Sequence, residues 1–254
     1  MTDGTPRAAL VTGAARRIGR AIALALHRAG YAVAIQANRS VADAEALRDE
    51  ITRVGGHAAV VRADLADRGE TAMLVPAAAA ALGPLTLLVN NAAMFEPDAI
   101  GALEAERFDR QFAVNLRAPL FLAEAFAAQA GAGANASVVN ILDQRVFKLT
   151  PHFVSYTLAK SALHSATRML AQALAPNVRV NAVAPGPTIA SARQQIADFE
   201  RQAAAVPLGH GPSVEEIAEA VLYLASARSV TGATLVVDGG QHLAWQTPDT
   251  GVAE

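Results

Sequence analysis

The chain contains no cysteine. Disulfides, thiolate nucleophiles and cysteine-held metals are thereby excluded. Charge of either sign is scarcely in excess: 21 Lys and Arg stand against 23 Asp and Glu, a net −2. Such a balance gives no reason to expect nucleic acid or an acidic membrane surface as a partner. Long apolar runs are missing too. Ala72 to Val89 is broken by Pro76, Gly83 and Pro84, and Ala8–Val11 has only strand length, so no membrane span is expected. No basic region followed by a long apolar stretch marks a signal peptide. His152 and His164 lie twelve residues apart without carboxylates at ligand spacing; no metal is expected there, and both read as surface or packing residues. No fixed-period repeat or low-complexity linker divides the chain. The expectation is a cytoplasmic protein whose partner is a small molecule.

What remains is apolar and alternating. The 254 residues are 52% hydrophobic, enough for one large α/β domain with a full core. Strands are expected at Ala8–Val11, Tyr31–Ala37, His57–Ala63, Leu85–Asn90, Ala136–Leu142, Val178–Ala184 and Thr234–Val237. Helices are expected at Ile18–Ala29, Val41–Val54, Arg68–Leu82, Leu103–Ala130 (one long or two broken, with Pro119 inside), Pro151–Leu174 and Val214–Ala225. Apolar strands alternating with helices predict a Rossmann-like, doubly wound parallel sheet of about seven strands with helices on both faces.

Between the first strand and first helix runs Thr12-Gly13-Ala14-Ala15-Arg16-Arg17-Ile18-Gly19. A glycine turn at a helix N-terminus offers backbone N–H groups where the helix dipole favours anions, which suits a dinucleotide pyrophosphate. Arg17 either contacts cofactor phosphate or substrate, or is a solvated side chain. After the second strand comes Asn38-Arg39-Ser40, with no acid to hold a ribose hydroxyl pair. A basic residue there accommodates the 2′-phosphate of NADP; the alternative for Arg39 is a surface arginine near the next helix.

Tyr156 and Lys160 are four apart, and Asp143 stands thirteen before Tyr156. At that spacing on a helix a phenol and an ammonium share one face. A nearby cation favours the phenolate, so Lys160 is expected to lower the Tyr156 pKa and ready it for proton transfer. Asp143 ends the fifth strand, on the sheet edge where such folds bind ligands. An ionised carboxylate repels a carbonyl oxygen gaining negative charge. Either Asp143 is protonated and donates, or the substrate presents N–H groups and needs an acceptor.

These segments resemble the short-chain dehydrogenase/reductase family over nearly the whole chain. Thr12-Gly13, Gly19, Asn90-Asn91-Ala92-Ala93, Asn115, Tyr156 and Lys160 match its motifs. Two departures mark a branch: Arg17 replaces the middle glycine, and Asp143 replaces the usual serine. Pteridine reductases and dihydromonapterin reductases resemble the chain at Arg17, Arg39-Ser40, Asp143, Tyr156 and Lys160 together. The resemblance implies NADPH, held by Thr12, Gly13, Arg17, Ile18, Gly19, Arg39, Ser40, Asp64, Leu65, Asn91, Ala92, Ala93, Tyr156, Lys160, Pro185 and Gly186. It implies catalysis by Asp143, Tyr156 and Lys160, with Asn115 maintaining the proton relay. It implies a pterin bound by Arg17, Phe95, Asp143 and Tyr156, with Phe95 covering the ring opposite the nicotinamide. Asp64 alternatively serves as a turn residue, Asn115 as a cap on a kink, and Phe95 as core packing. Ala93 departs from the serine of protozoal pteridine reductases, so polar contacts there differ. Segment 188–206 is expected to be a substrate lid. A homotetramer is implied, paired through Leu103–Ala130 and Pro151–Leu174, with tail 241–254 reaching a neighbour's site. Two other functions stay open: an NADP-dependent carbonyl or alcohol oxidoreductase, and a non-catalytic NADPH-binding regulator.

Overall fold

In a computed structural model the described residues are 7–131, 135–191 and 193–245. The central element is one sheet of seven parallel strands. They are β1 Arg7–Val11, β2 Tyr31–Ala37, β3 Ala58–Arg62, β4 Leu85–Asn90, β5 Ala136–Ile141, β6 Val178–Pro185 and β7 Thr234–Val237, in the order β3-β2-β1-β4-β5-β6-β7.

Successive strand side chains point to opposite faces, and both faces are covered. Ala9 and Val11 of β1 join the cluster under α1 (Arg17–Arg28), α2 (Val41–Arg53) and α8 (Val214–Ser226), with Ile22, Leu47 and Val221. Ala8 and Leu10 join the opposite cluster under α3 (Arg68–Leu82), α5 (Ala118–Gln129) and α6 (Val154–Leu174), with Leu74, Phe126 and Ala171. That two-sided burial is why the strands read as continuous apolar runs. Each buried Leu, Ile or Phe contributes on the order of 1.5–3 kcal/mol.

The chain reverses direction across the sheet between β1 and β4. A crevice opens outside the carboxyl ends of strands at such a reversal, and the phosphate turn, Asn90-Asn91 and Asp143 all follow strand ends near it.

Three elements differ from expectation. The long helix is α4 (Ala105–Phe112), a π turn (Ala113–Arg117) and α5. Pro119 has no N–H for the α-helical ladder and its ring crowds the preceding turn; the wider π turn just before it relieves that conflict. Helix α6 begins at Val154, directly after Phe153, whose φ of 57° lies in the left-handed region. Segment 188–206 contains a helix unread in the sequence, α7 (Ile196–Ala204), none of whose residues is buried.

Candidate active site

Two glycines bring the phosphate turn against the start of the β4 loop. Gly13 has φ 62°, and a Cβ there would lie 2.9 Å from Ala92 Cα. A Cβ on Gly19 would lie 2.2 Å from the Gly13 carbonyl oxygen and 2.6 Å from Asn91 Nδ2. The approach is fixed by polar contacts. The Thr12 hydroxyl accepts from the N–H groups of Asn91 (2.9 Å) and Ala92 (3.0 Å), and Asn91 Nδ2 donates to the Thr12 carbonyl at 2.8 Å. Thr12 and Asn91 therefore bind each other across the switch point. Gln36 adds a support that sequence reasoning missed. Its Oε1 accepts from Gly13 N–H and its Nε2 donates to the Ala63 carbonyl, both at 2.7 Å. The signal was a lone polar side chain in the apolar β2 strand.

Helix α1 begins at Arg17, so the Arg17, Ile18 and Gly19 N–H groups form its first turn, where intrahelical acceptors are lacking and anions are favoured. The Arg17 side chain points elsewhere. Its guanidinium donates to the carbonyls of Ile189 (3.0 Å) and Ala190 (2.9 Å).

Beyond the turn lies a cavity of about 990 Å³ lined in part by Gly13, Arg39, Asp64, Leu65 and Ala92. Arg39 is exposed, and its side chain has no hydrogen bond or ion pair among the described residues. Its neighbour Arg16, by contrast, is held on Asp43 at 2.7 Å. Ser40 precedes α2 without a side-chain cap bond. Burial pushes the Asp64 carboxyl up, but the Ala66 N–H and Arg110 (3.1 Å) outweigh it and hold the group below its usual range. Leu65 is buried in the α3–α5 core.

A second cavity of about 650 Å³ shares Arg17, Phe95 and Tyr156 with the first and adds Asp143, Lys160 and Gly186. Here the strand end and α6 converge. Tyr156 Oη donates to Asp143 Oδ2 at 3.1 Å. Lys160 Nζ donates to the Ile141 carbonyl at 2.6 Å and lies 5.9 Å from the Tyr156 ring centroid. Tyr156 and Lys160 are both buried. The expected lowering of the phenol is reversed. Burial, then the Asp143 carboxylate, raises Tyr156 well above its ordinary value, with Arg145 pulling the other way. Burial lowers Lys160 to about 8, with Asp143 opposing. The ammonium is directed at a backbone carbonyl, so the carboxylate governs the phenol. A phenol that keeps its proton is the form a proton donor needs.

Asn115 sits in the π turn, fully buried, and clamps the loop after β4: its Oδ1 accepts from Met94 N–H at 3.0 Å and its Nδ2 donates to the Met94 carbonyl at 2.8 Å. Phe95, one residue on, stacks on Phe153 with ring centroids 4.3 Å apart and meets Tyr156 edge-on at 4.7 Å. Pro185 ends β6, and Gly186 N–H donates to the Val237 carbonyl at 2.9 Å. His164 packs edge-on against Phe147 and His152 is exposed. Of the tail, Gln241–Trp245 is described, with Leu243 and Trp245 exposed; residues 246–254 lie outside the described residues.

Three further side chains went unread in the sequence. Arg145 reaches back to Asp143, and Phe153 stacks on Phe95. Asp98 caps α6 from a distant loop, accepting from Ser155 N–H at 3.2 Å and from the Ser155 hydroxyl. Only Arg145 carried a usable signal, its place two residues after Asp143.

A family model described as enoyl-(acyl carrier protein) reductase matches residues 13–242. The crystal structure of FolM alternative dihydrofolate reductase 1 from Brucella canis, complexed with NADP, superposes with TM-score 0.93 at 51% identity, covering 96% of each chain. Pteridine reductase 1 of Leishmania tarentolae is 34% identical over 285 residues, covering 95% of this chain and 98% of its own. L-xylulose reductase of Bos taurus is 38% identical over 243 residues, covering 92% and 96%.

Proposed function

The chain belongs to the short-chain dehydrogenase/reductase family, and from that premise we propose that it is an NADPH-dependent reductase of pterin-type substrates, dihydropterins and dihydrofolate-like compounds. The observation that carries this reading is the Tyr156 hydroxyl held on Asp143 at 3.1 Å. The site meets the substrate with an acceptor where the family commonly has a hydroxyl donor. That suits a nitrogen heterocycle with N–H groups better than a ketone. The 51% identity to an alternative dihydrofolate reductase supports it.

The residues fit a dinucleotide. A Cβ at Gly13 or Gly19 would fill the cradle, and first-turn N–H groups favour a pyrophosphate. Arg39, exposed and without a protein partner among the described residues, suits a 2′-phosphate. Ser40, Asp64 and Leu65 would flank the adenosine, and Asn91, Ala92, Ala93, Pro185 and Gly186 the nicotinamide end. The cofactor supplies a hydride. The protein's own part is the proton: Tyr156 holds it at Oη, Asp143 aligns that hydroxyl, and the nitrogen of the reduced C=N bond receives it. Lys160 holds the strand end at Ile141 and contributes positive charge. Asn115 keeps the Phe95 loop in place beside the reacting ring.

The test is NADPH oxidation with dihydrobiopterin and dihydrofolate against a panel of ketones and ketoses. Turnover of the pterins well above that of the carbonyl compounds is expected. The reverse preference would instead favour the carbonyl reading, to which the L-xylulose reductase similarity points. NADPH binding without turnover of either set would favour the regulator.

A further inference from the structure

We infer that Arg145 is a positioning residue for the proton-transfer pair, holding the Asp143 carboxylate against the Tyr156 hydroxyl and bracing the Phe95–Phe153 wall beside it. The inference rests on the reading of Asp143 and Tyr156 as that pair, but not on which substrate they serve.

Local backbone brings Arg145 there. Asp143 is extended at the end of β5 and caps a short 3-10 turn, Gln144–Val146, its Oδ1 accepting from Arg145 N–H at 2.8 Å. The turn folds the Arg145 side chain back over its own cap. Nη1 then reaches Asp143 Oδ2 at 3.4 Å, the same oxygen that takes the Tyr156 hydroxyl at 3.1 Å. One carboxylate oxygen thus faces both the phenol and a cation.

The guanidinium also meets the aromatic wall. Its Cζ is 5.4 Å from the Phe95 centroid and 5.1 Å from that of Phe153, while the two centroids are 4.3 Å apart. Near-equal distances place it beside the seam of the stack, joining both rings to Asp143. Such a contact is favourable where the cation is partly desolvated, and the Arg145 side chain is only 20% exposed. Its Nε is buried without a hydrogen-bond partner. Leaving that donor unpaired is unfavourable, so a merely space-filling role is poorly served by arginine.

Other cations near the pair are committed elsewhere. Lys160 on α6 donates to the Ile141 carbonyl, Arg17 at the start of α1 to Ile189 and Ala190, and Arg193 after Thr188 to the Phe95 carbonyl. Among these, Arg145 alone is bonded to the carboxylate. Its charge opposes the upward pull of burial and Asp143 on the phenol. Removing it leaves that upward pull on the phenol unopposed.

Arg145→Gln and Arg145→Lys separate charge from shape. NADPH affinity, read by fluorescence titration, is expected within about twofold of the parent in both, which also reports folding. In Arg145→Gln the pH–rate profile is expected to move about one unit upward, with kcat down roughly tenfold or more. Arg145→Lys keeps the charge and should leave the profile in place while raising KM. The tyrosinate absorbance of Tyr156, isolated by subtracting the Tyr156→Phe titration, gives a readout without turnover: the phenol should ionise at higher pH in Arg145→Gln than in the parent, because Arg145 is the charge that opposes its upward shift. A parent that prefers ketones would overturn the pterin reading and leave these measurements intact. An unmoved profile and unmoved Tyr156 titration in Arg145→Gln would overturn this inference. So would a folded Arg145→Lys variant whose pH–rate profile is displaced from the parent's by about a unit, a comparison that needs only the lysine variant and the parent.

Discussion

At Tyr156 the phenol, the carboxylate and the buried ammonium set opposing demands. The hydroxyl is directed to Asp143 at 3.1 Å, so its removal should cost turnover without disturbing the cofactor cradle. Tyr156→Phe is expected to lose about 10²–10⁴-fold in kcat while NADPH binding stays nearly intact. Asp143→Ser restores the residue usual in the family and should abolish pterin reduction; unchanged pterin rates would make the carboxylate incidental. Lys160 predicts a stability signature. Its folded pKa of about 8 lies below that of an unfolded lysine, about 10.4. From about pH 8 to pH 10 the unfolded chain therefore binds more protons, and stability from this group rises with pH, on the order of 1 kcal/mol per unit. Tyr156 is present in both the parent and a Lys160→Met variant, so its own ionisation in the unfolded chain near about pH 10 cancels in their comparison. Urea unfolding of the parent and of Lys160→Met should diverge from about pH 8 to pH 10, the parent gaining. Parallel curves would contradict the burial of the charge.

The elements around the site are joined by side chains from far along the chain. Helix α6 has no side-chain cap of its own at Phe153. Asp98 supplies one: its carbonyl accepts Phe153 N–H at 2.9 Å and its carboxylate accepts from Ser155, which also receives Gln111 Nε2 at 2.6 Å. Asp98→Ala should destabilise the protein by about 1–3 kcal/mol in urea unfolding. It should also lower kcat, because Tyr156 follows Ser155 directly; full activity would show that the tyrosine is held by other contacts. The same elements show what a sequence can disclose. Strands buried on both faces announce themselves by composition, and Tyr156, Lys160 and the glycine turn by spacing. Asp98 gave no such sign, since its partner is 57 residues away and its own surroundings are an unpatterned loop. The π turn at Asn115 had one sign, Pro119, which marks a disturbed helix but not which way the ladder relaxes. Helix α7 buries no residue, so the core-facing pattern that reveals other helices is absent from it.

Across the whole molecule, apolar surface is left on the helices for which pairing is expected. Phe121 on α5 is 57% exposed, and Leu158 and Met169 on α6 are 50% and 66% exposed. Leu158 and Met169 are eleven residues apart, three helical turns, and so share one face of α6; an exposed apolar face of that kind suits an interaction surface. A tetramer is the expected mass by light scattering, and Phe121→Glu with Met169→Glu should shift it toward smaller species; a monomeric parent would contradict it.

Arg17 connects two regions of this molecule that its sequence position does not suggest. It starts the phosphate turn, yet its guanidinium is held by the carbonyls of Ile189 and Ala190. On the proposed reading, in which the cofactor's phosphate draws this guanidinium and segment 188–206 borders the substrate, cofactor binding would loosen that segment. Cofactor affinity and substrate affinity would then be thermodynamically coupled, and coupling between two ligands is reciprocal. Titrations of the parent should show NADP changing the dissociation constant of the pterin by the same factor as the pterin changes that of NADP. In Arg17→Met both factors should fall toward one, leaving two independent sites; a parent whose ligands already ignore each other would refute the coupling.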